Sequence, residues 1–390
     1  MKIVITPDSF KENLTSLEVA TAIEKGIKRV LPGAKCIKVP MADGGEGTVQ
    51  SVVDATAGKL LKKEVVGPLG EPVTAHYGVL GDGKTAVIEM AEASGSPLVP
   101  KKRRDPLKAT TYGTGQLIID ALDQGAKAII IGIGGSATVD GGAGMAQALG
   151  VRFLQKNKKP IEGYAAGGIL DSIAGIDMSG IDPRIEDTRI TIASDVENPL
   201  TGRKGAAYVF GPQKGATPEM VEQLDRNLKL FARAIKKELG IDVASLPGAG
   251  AAGGLGAGLV AFTGAKLRSG IELVIEVTRL KDHLKGADLV ITGEGRVDLQ
   301  TAFGKTPAGI AKAAKRFRVP VIAIGGSLSD DAPRLYEHGI DALASAAARD
   351  MDLAEALRNS REHLENAAER VIRLILIGRN MQKKAQRKAK

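Results

Sequence analysis

KIVITPDSFKENLTSLEVATAIEKGIKRVLPGAKCIKV (2–39) reads as strand, helix, strand. Residues 3–6 are apolar and β-branched, as a buried strand requires. Across 16–31, Leu17, Ala20, Ile23, Ile27 and Val30 recur at helical spacing. Thr15 and Glu18 have the spacing of a capping box, and Pro32-Gly33 ends the helix. Residues 36–39 return as a second strand. Two strands joined by a helix make the repeating unit of a parallel α/β sheet.

The same rhythm returns near the other end of the chain. ADLVIT (287–292) is followed by a helix over 307–317, VPVIAIGG (319–326), a short helix near 332–338, DALASA (341–346) and a helix from 352 to about 377. The middle differs: KKEVV, VTAHYGVL and TAVIEMA, separated by GPLGEP and GDGK, read as an antiparallel meander with Gly and Pro turns. A helix beginning near 110–115, the strand AKAIII, a glycine-rich run, the strand RITIAS (189–194) and a helix over 218–239 come next. That last helix has Thr217 as N-cap, Pro218 at its first position and Gly240 after its end. The expected fold class is therefore α/β with two domains. A Rossmann-like parallel-sheet domain is built from both chain ends, 1–65 plus 285–380, and a mixed α/β domain over 66–284 is inserted into it. Residues 381–390, MQKKAQRKAK, are expected to be a disordered basic tail.

The formal net charge is +9, but the tail alone carries five positive charges and residues 101–104 four more. With no Trp, 3% aromatic residues and no recognisable nucleic-acid module, stacking platforms for bases are missing, so a nucleic-acid partner is not expected. A basic surface suits an anionic small molecule. No apolar stretch is long enough to span a bilayer, and the chain reads as a soluble, cytoplasmic protein without a membrane partner. Cys36, the one cysteine, reads as a small buried residue in an alternating run, which removes intrachain disulfides and cysteine-ligated metals. The sequence carries no signal of oligomeric state.

Three glycine patterns invite a nucleotide. GVLGDGKT (78–85) fits G-x-x-x-x-G-K-[ST], but that loop works only between a parallel strand and a helix; here a strand follows, so a β-turn is expected. GAGAAG (248–253) fits G-x-G-x-x-G in a chain with 49 glycines. GIGGSATVDGGAG (132–144) fits the same fingerprint through Gly132, Gly134 and Ala137. The strand after it ends in Gln155, Lys156 and Asn157, where an NAD site places a carboxylate, although Lys156 suits NADP. An NADP-linked oxidoreductase acting on a small hydroxy acid therefore stays open as an alternative, and a non-catalytic binding protein for sugar acids as a third reading.

Polar loops follow several expected strands: PDSFKEN with Asp8, Ser9 and Lys11; PMADGGEGT with Asp43 and Glu46; GEGRVDLQT with Glu294, Arg296 and Asp298; GSATVDGG with Asp140; SDVENPLTG with Asp195 and Asn198. In open parallel sheets ligands bind beyond the carboxyl ends of the strands. Phosphoryl transfer needs backbone donors and cations around phosphates, carboxylates for Mg²⁺, and one carboxylate for the attacking hydroxyl. Glycine turns, Lys11, Arg296, Lys214 and Lys305 supply the positive side. None of the four histidines, His76, His283, His338 and His363, lies in these loops, so histidine-based hydrolysis and zinc chemistry lack their usual residues.

The collinear order PDSFKENL, PMADGGEGT, TTYGTGQLI, GIGGSATVDGGAGM, SDVENPLTG, FGPQKGAT, GAGAAGGLGAG and TGEGRVDLQT closely resembles the bacterial type 1 glycerate kinase family, over about 1–378. Asn13, where serine is common, and Val139, where asparagine is common, depart from the pattern without touching its charged residues. The resemblance implies ATP-dependent phosphorylation of D-glycerate, generally to 2-phosphoglycerate, with Mg²⁺, on a two-domain α/β fold without a P-loop; the substrate is expected in the cleft between the domains. The expected catalytic residues are Asp195, Asp8, Lys11 and Arg296, with Asp195, at the end of RITIAS, first choice for the base that meets the acceptor hydroxyl. Ser9, Gly134, Gly135, Ser136, Thr138, Asn198 and Lys214 are expected to bind substrate or phosphate. Asp43, Glu46, Asp140, Glu294 and Asp298 are expected around the metal. The run 132–144 is read as a phosphate-facing turn at a helix N-terminus, in which Asp140 either caps the helix or binds the cation.

Overall fold

The structure is a computed structural model that describes residues 1–11, 13–302 and 305–388. Thr15 and Glu18 form the reciprocal capping box: Glu18 accepts from the Thr15 N–H at 2.9 Å, and Thr15 Oγ1 accepts from the Glu18 N–H. The helix Ser16–Val30 starts there and buries Val19, Ile23 and Ile27. In chain order the strands are β1 (Lys2–Pro7), β2 (Lys35–Lys38), β3 (Lys59–Val66), β4 (Pro72–Val79), β5 (Thr85–Glu89), β6 (Ala128–Gly132), β7 (Arg152–Leu154), β8 (Gly175–Asp177), β9 (Arg189–Ala193), β10 (Lys266–Arg268), β11 (Leu289–Val297), β12 (Val321–Leu328) and β13 (Ala342–Ser345).

The chain divides into two units. The first comprises Met1–Asp43, Gln50–Ala55 and the chain from Ile271 onward. Its sheet is all parallel, in the order β13-β12-β11-β1-β2. Ile3, Ile5, Leu289 and Ile291 of the sheet pack with Ile23 and Ile27 of the first helix and with Leu364 and Ile372 of the C-terminal helix. The carboxyl ends of β1, β2 and β11 share one edge of this sheet, because parallel strands end on the same side.

The second unit comprises Gly44–Val49 and Thr56–Gly270. Its six-stranded sheet has the order β10-β9-β6-β5-β4-β3. β3, β4 and β5 form the antiparallel meander, whereas β5, β6, β9 and β10 are parallel. β4 and β5 are joined by a hairpin in which Asp82 Oδ1 accepts from the N–H groups of Lys84 and Thr85, so GVLGDGKT is a turn between antiparallel strands. Ile88, Ile129, Ile131 and Ile192 form one core with Leu117 and Ile118. A second core lies under the helix Pro218–Leu239, where the Phe153 ring meets Phe231 and Phe262 edge-on at 5.6 and 5.9 Å. The sequence suggests unit boundaries at 65/66 and 284/285; β3 instead falls in the second unit, because it pairs with β4 along its whole length, and the later division is at 270/271.

Two sequence expectations at the C-terminus need correction. The helix expected over 352–377 is two helices, Leu353–Arg358 and Ser360–Lys388. The basic tail expected to be disordered continues the second of these through Lys388; Ala389 and Lys390 lie outside the described residues. Ala, Gln, Lys and Arg are good helix formers, and adding residues to a nucleated helix avoids the initiation cost. Among the described residues no helix is long and apolar enough to cross a membrane.

Candidate functional site

In the first unit, β1 ends at Pro7 and delivers Asp8 into a cluster of acidic side chains. Asp8 is only 8% exposed. Its Oδ2 accepts from Thr306 Oγ1 at 2.5 Å and its Oδ1 from the Ser9 N–H at 2.6 Å. Burial, helped by the nearby Asp43 and Glu294 carboxylates, pushes its pKa up to about 7 against those two hydrogen bonds. Glu294, on β11, is also raised by burial, while the Thr301 hydroxyl at 2.5 Å and Lys305 oppose the shift. Lys305 Nζ lies 3.7 Å from Glu294 and 4.0 Å from Asp298, and Arg296 approaches Asp298 at 3.6 Å. Ser9, Asp43, Arg296 and Asp298 are thus brought to the same sheet edge as Asp8. Lys11 follows on the exposed turn after Ser9.

In the second unit, the glycine run after β6 divides into two turns with different duties. The first, 134–136, lines a pocket of about 360 Å³ together with Arg104 and Lys214. Gly134 and Gly135 are exposed, Gly135 has φ +72°, and Gly134, Gly135 and Ser136 donate no backbone hydrogen bond to any described residue. Lys214 is 2% exposed; its Nζ donates to Ser136 Oγ at 2.6 Å and to the Thr138 carbonyl at 2.7 Å. Burial pushes its pKa down to about 7, with Asp140 opposing.

The second turn is closed. Asp140 is fully buried; Oδ2 accepts from the Thr111 N–H (2.8 Å), Thr111 Oγ1 (2.7 Å) and the Gly144 N–H (3.2 Å), and Oδ1 accepts from the Gly142 N–H (3.0 Å). The N-terminus of the short helix Ala143–Ala148, expected to face phosphate, is therefore occupied by a side chain of the protein. Of the two roles that the sequence allowed, the hydrogen bonds Asp140 makes are those of the cap. Thr138 is fully buried as well, with no hydrogen-bond partner for Oγ1 among the described residues, so its hydroxyl does not reach the pocket. Its carbonyl is crowded by Gly253, whose added Cβ would lie 1.9 Å from that oxygen.

Asp195 lies just beyond β9, is exposed, and precedes Val196, which lines the pocket. Asn198, in the same loop, donates from Nδ2 to the Lys204 carbonyl at 2.8 Å. Glu46 is exposed in the loop 44–47, which is held by a residue that sequence reasoning missed. Glu89, at the end of β5, accepts from the Val49 N–H at 2.8 Å and the Gly47 N–H at 3.3 Å, and burial raises its pKa to about 7. Its position after TAVI, at a strand end, was the available signal. Thr306 and Arg104 were also missed as site residues; neither stands in a strand-end carboxylate loop.

The Glycerate kinase family model matches residues 3–376. The chain belongs to the glycerate kinase family. Glycerate kinases of Halalkalibacterium halodurans and Bacillus subtilis are 59% and 54% identical to it, over 95% and 98% of this chain and 97% and 99% of theirs. The Escherichia coli glycerate 2-kinase is 52% identical, over 97% of this chain and 99% of its own. A crystal structure from Salmonella typhimurium LT2, assigned as glycerate kinase 2, superposes with a TM-score of 0.90 at 53% identity, over 97% of this chain and 99% of that one. The protein is accordingly an enzyme, a phosphotransferase with an alcohol group as acceptor. Membership in the glycerate kinases removes the ground for an oxidoreductase or a non-catalytic binding protein.

Proposed function

We propose that this enzyme transfers the γ-phosphoryl group of ATP to the 2-hydroxyl of D-glycerate in the cytoplasm, releasing ADP and 2-phosphoglycerate, with Mg²⁺ as cofactor. The reading of its chemistry rests on one observation: a buried carboxyl, Asp8, stands at a strand end among other carboxylates, where burial pushes its pKa up to about 7. A general base works best when its pKa lies close to the working pH. Asp8 is thus the better placed of the two rivals, because Asp195 is exposed. The Asp8 carboxylate accepts the hydroxyl proton while the new O–P bond forms and the bond to the leaving ADP breaks. Lys11 and Arg296 pair with the substrate carboxylate or with phosphate oxygens.

The donor chemistry fits Mg²⁺, since Asp43, Glu294 and Asp298 offer hard carboxylate oxygens next to a desolvated, like-charged Asp8. Among the described residues no group of three or more His, Cys, Asp or Glu side chains is arranged to hold a metal ion. Mg²⁺ takes one or two carboxylates and completes its shell with phosphate oxygens and water, so the proposal needs only one or two of these side chains as direct ligands. When bound, the cation would neutralise charge developing on the transferred phosphoryl group.

Two measurements test this reading. A coupled assay should register ADP release that depends on D-glycerate, and ³¹P NMR of the product should show 2-phosphoglycerate; a 3-phosphoglycerate signal would overturn the regiochemistry. Asp195→Asn is expected to lose less than about tenfold in kcat, against the hundredfold scale of a lost general base. If Asp195→Asn falls by the larger factor and Asp8→Asn does not, the base is Asp195.

A further inference from the structure

Arg104 has no part in the roles assigned so far, yet it lines the second unit's pocket with its guanidinium held by backbone carbonyls. Nη1 donates to the Gln213 carbonyl at 3.0 Å, and Nε and Nη2 point at the carbonyls of Val99 and Ser96, each at 3.4 Å. No ion pair to a carboxylate engages it among the described residues. The same pocket is lined by the turn 134–136, whose three N–H groups donate to no described residue and whose Ser136 hydroxyl is held by Lys214. An arginine with no carboxylate partner beside backbone donors that no described residue satisfies describes a site for an anion.

The remaining wall says which anion. Besides Ser96 and Gln213, the rest of the lining is apolar, from Ile133, Val196, Phe210, Ala251 and Ala252. A volume of about 360 Å³ with an apolar face and a few convergent donors suits a ligand much larger than a three-carbon acid. A nucleoside polyphosphate has both parts: a flat, weakly polar base and an anionic chain.

We propose that this pocket is the nucleotide site, with Arg104 and the N–H groups of the turn 134–136 binding the phosphate chain and the apolar wall receiving the base. The inference deepens the proposed kinase reaction and rests on that reading for its biological sense. Lys214 then acts as a positioning residue: its Nζ is committed to Ser136 and Thr138, and it fixes the turn that Arg104 faces.

The test is titration of ADP, with MgCl₂ present, into the parent enzyme, Arg104→Gln and Arg104→Lys, alongside KM for ATP and for D-glycerate. Arg104→Gln should weaken ADP binding and raise KM for ATP by tenfold or more, leave KM for D-glycerate within twofold, and melt with the parent. Arg104→Lys should fall between, since it keeps the charge and loses the planar fork. Inorganic tripolyphosphate should displace ADP from the parent enzyme. An Arg104→Gln variant that binds ADP normally, or one whose KM for D-glycerate rises while ADP binding holds, overturns the proposal. So does a lowered melting temperature with both KM values moving together, which is the mark of a staple between loops. Failure of the parent to bind ADP also overturns it. Absence of D-glycerate-dependent turnover in a parent that binds ADP would instead sink the proposed reaction and leave the assignment of Arg104 standing.

Discussion

Asp8→Asn should lower kcat by about a hundredfold or more and at the same time make the protein more stable at pH 8. Both effects have one cause. The folded chain holds Asp8 buried, beside Asp43 and Glu294, with its pKa up at about 7, whereas an unfolded chain returns it to the ordinary range near 3.8. Between those values the native state binds more protons than the unfolded state, so the stability linked to Asp8 is fully present below pH 4 and is lost as the pH rises through 7. Asparagine has no charge to desolvate. Its Oδ1 can still accept from the Ser9 N–H, and its Nδ2 can donate to Thr306 Oγ1 after the hydroxyl turns. Melting curves of parent and variant should therefore coincide near pH 4 and separate above pH 7, with the variant higher. Paired kinetics complete the test, because the proton of the acceptor hydroxyl no longer has a carboxylate to go to. Normal turnover, or a variant that melts below the parent at pH 8, contradicts the assignment of Asp8 as base.

Local signals carried the elements. The capping box of Thr15 and Glu18, and the Thr217 cap with Gly240 past the end of Pro218–Leu239, operate within a few residues of chain and were legible for that reason. The glycine between Asp82 and Lys84 likewise declared a hairpin by its context. Strand-end carboxylates were also legible, since a polar cluster after an apolar run marks where a parallel strand leaves the sheet. What the sequence could not express was burial. Asp140 and Thr138 belong to the same short run as Gly134 and Ser136, yet Asp140 is claimed by Thr111, 29 residues earlier, and Thr138 is closed over by Gly253. Lys214 sits in FGPQKGA, where no local pattern marks burial, but its amine is buried by partners 76 and 78 residues away. Such long-range pairings decide which member of a motif meets ligand. They leave no periodicity behind.

Asp140 supplies the second large effect, on stability, and it separates the cap from the cation ligand. Asp140→Ala removes the acceptor for four donors, the N–H groups of Thr111, Gly142 and Gly144 and the Thr111 hydroxyl, in a place that water does not enter. Each unsatisfied buried donor costs on the order of 1–3 kcal/mol, and breaking a buried charge-assisted network typically costs about 3–5 kcal/mol in total. For a unit of roughly 200 residues that corresponds to a melting temperature about 6–20 °C lower. Thr111 is the link that spreads the damage: its hydroxyl donates to Asp140 and accepts from the Met145 N–H at 2.9 Å, so the loss of Asp140 frees both the start of the helix Tyr112–Asp123 and the start of the helix Ala143–Ala148. Lys214 also loses the negative charge that favours its protonated form. A carboxylate whose main task is to bind Mg²⁺ behaves in the opposite way: its removal relieves repulsion in the metal-free protein, leaves the melt unchanged or raised, and appears as a higher Mg²⁺ requirement. Thermal melts of Asp140→Ala in EDTA and in excess MgCl₂ distinguish the two. The cap predicts a large drop of equal size in both, and a variant that melts with the parent in EDTA returns Asp140 to the metal.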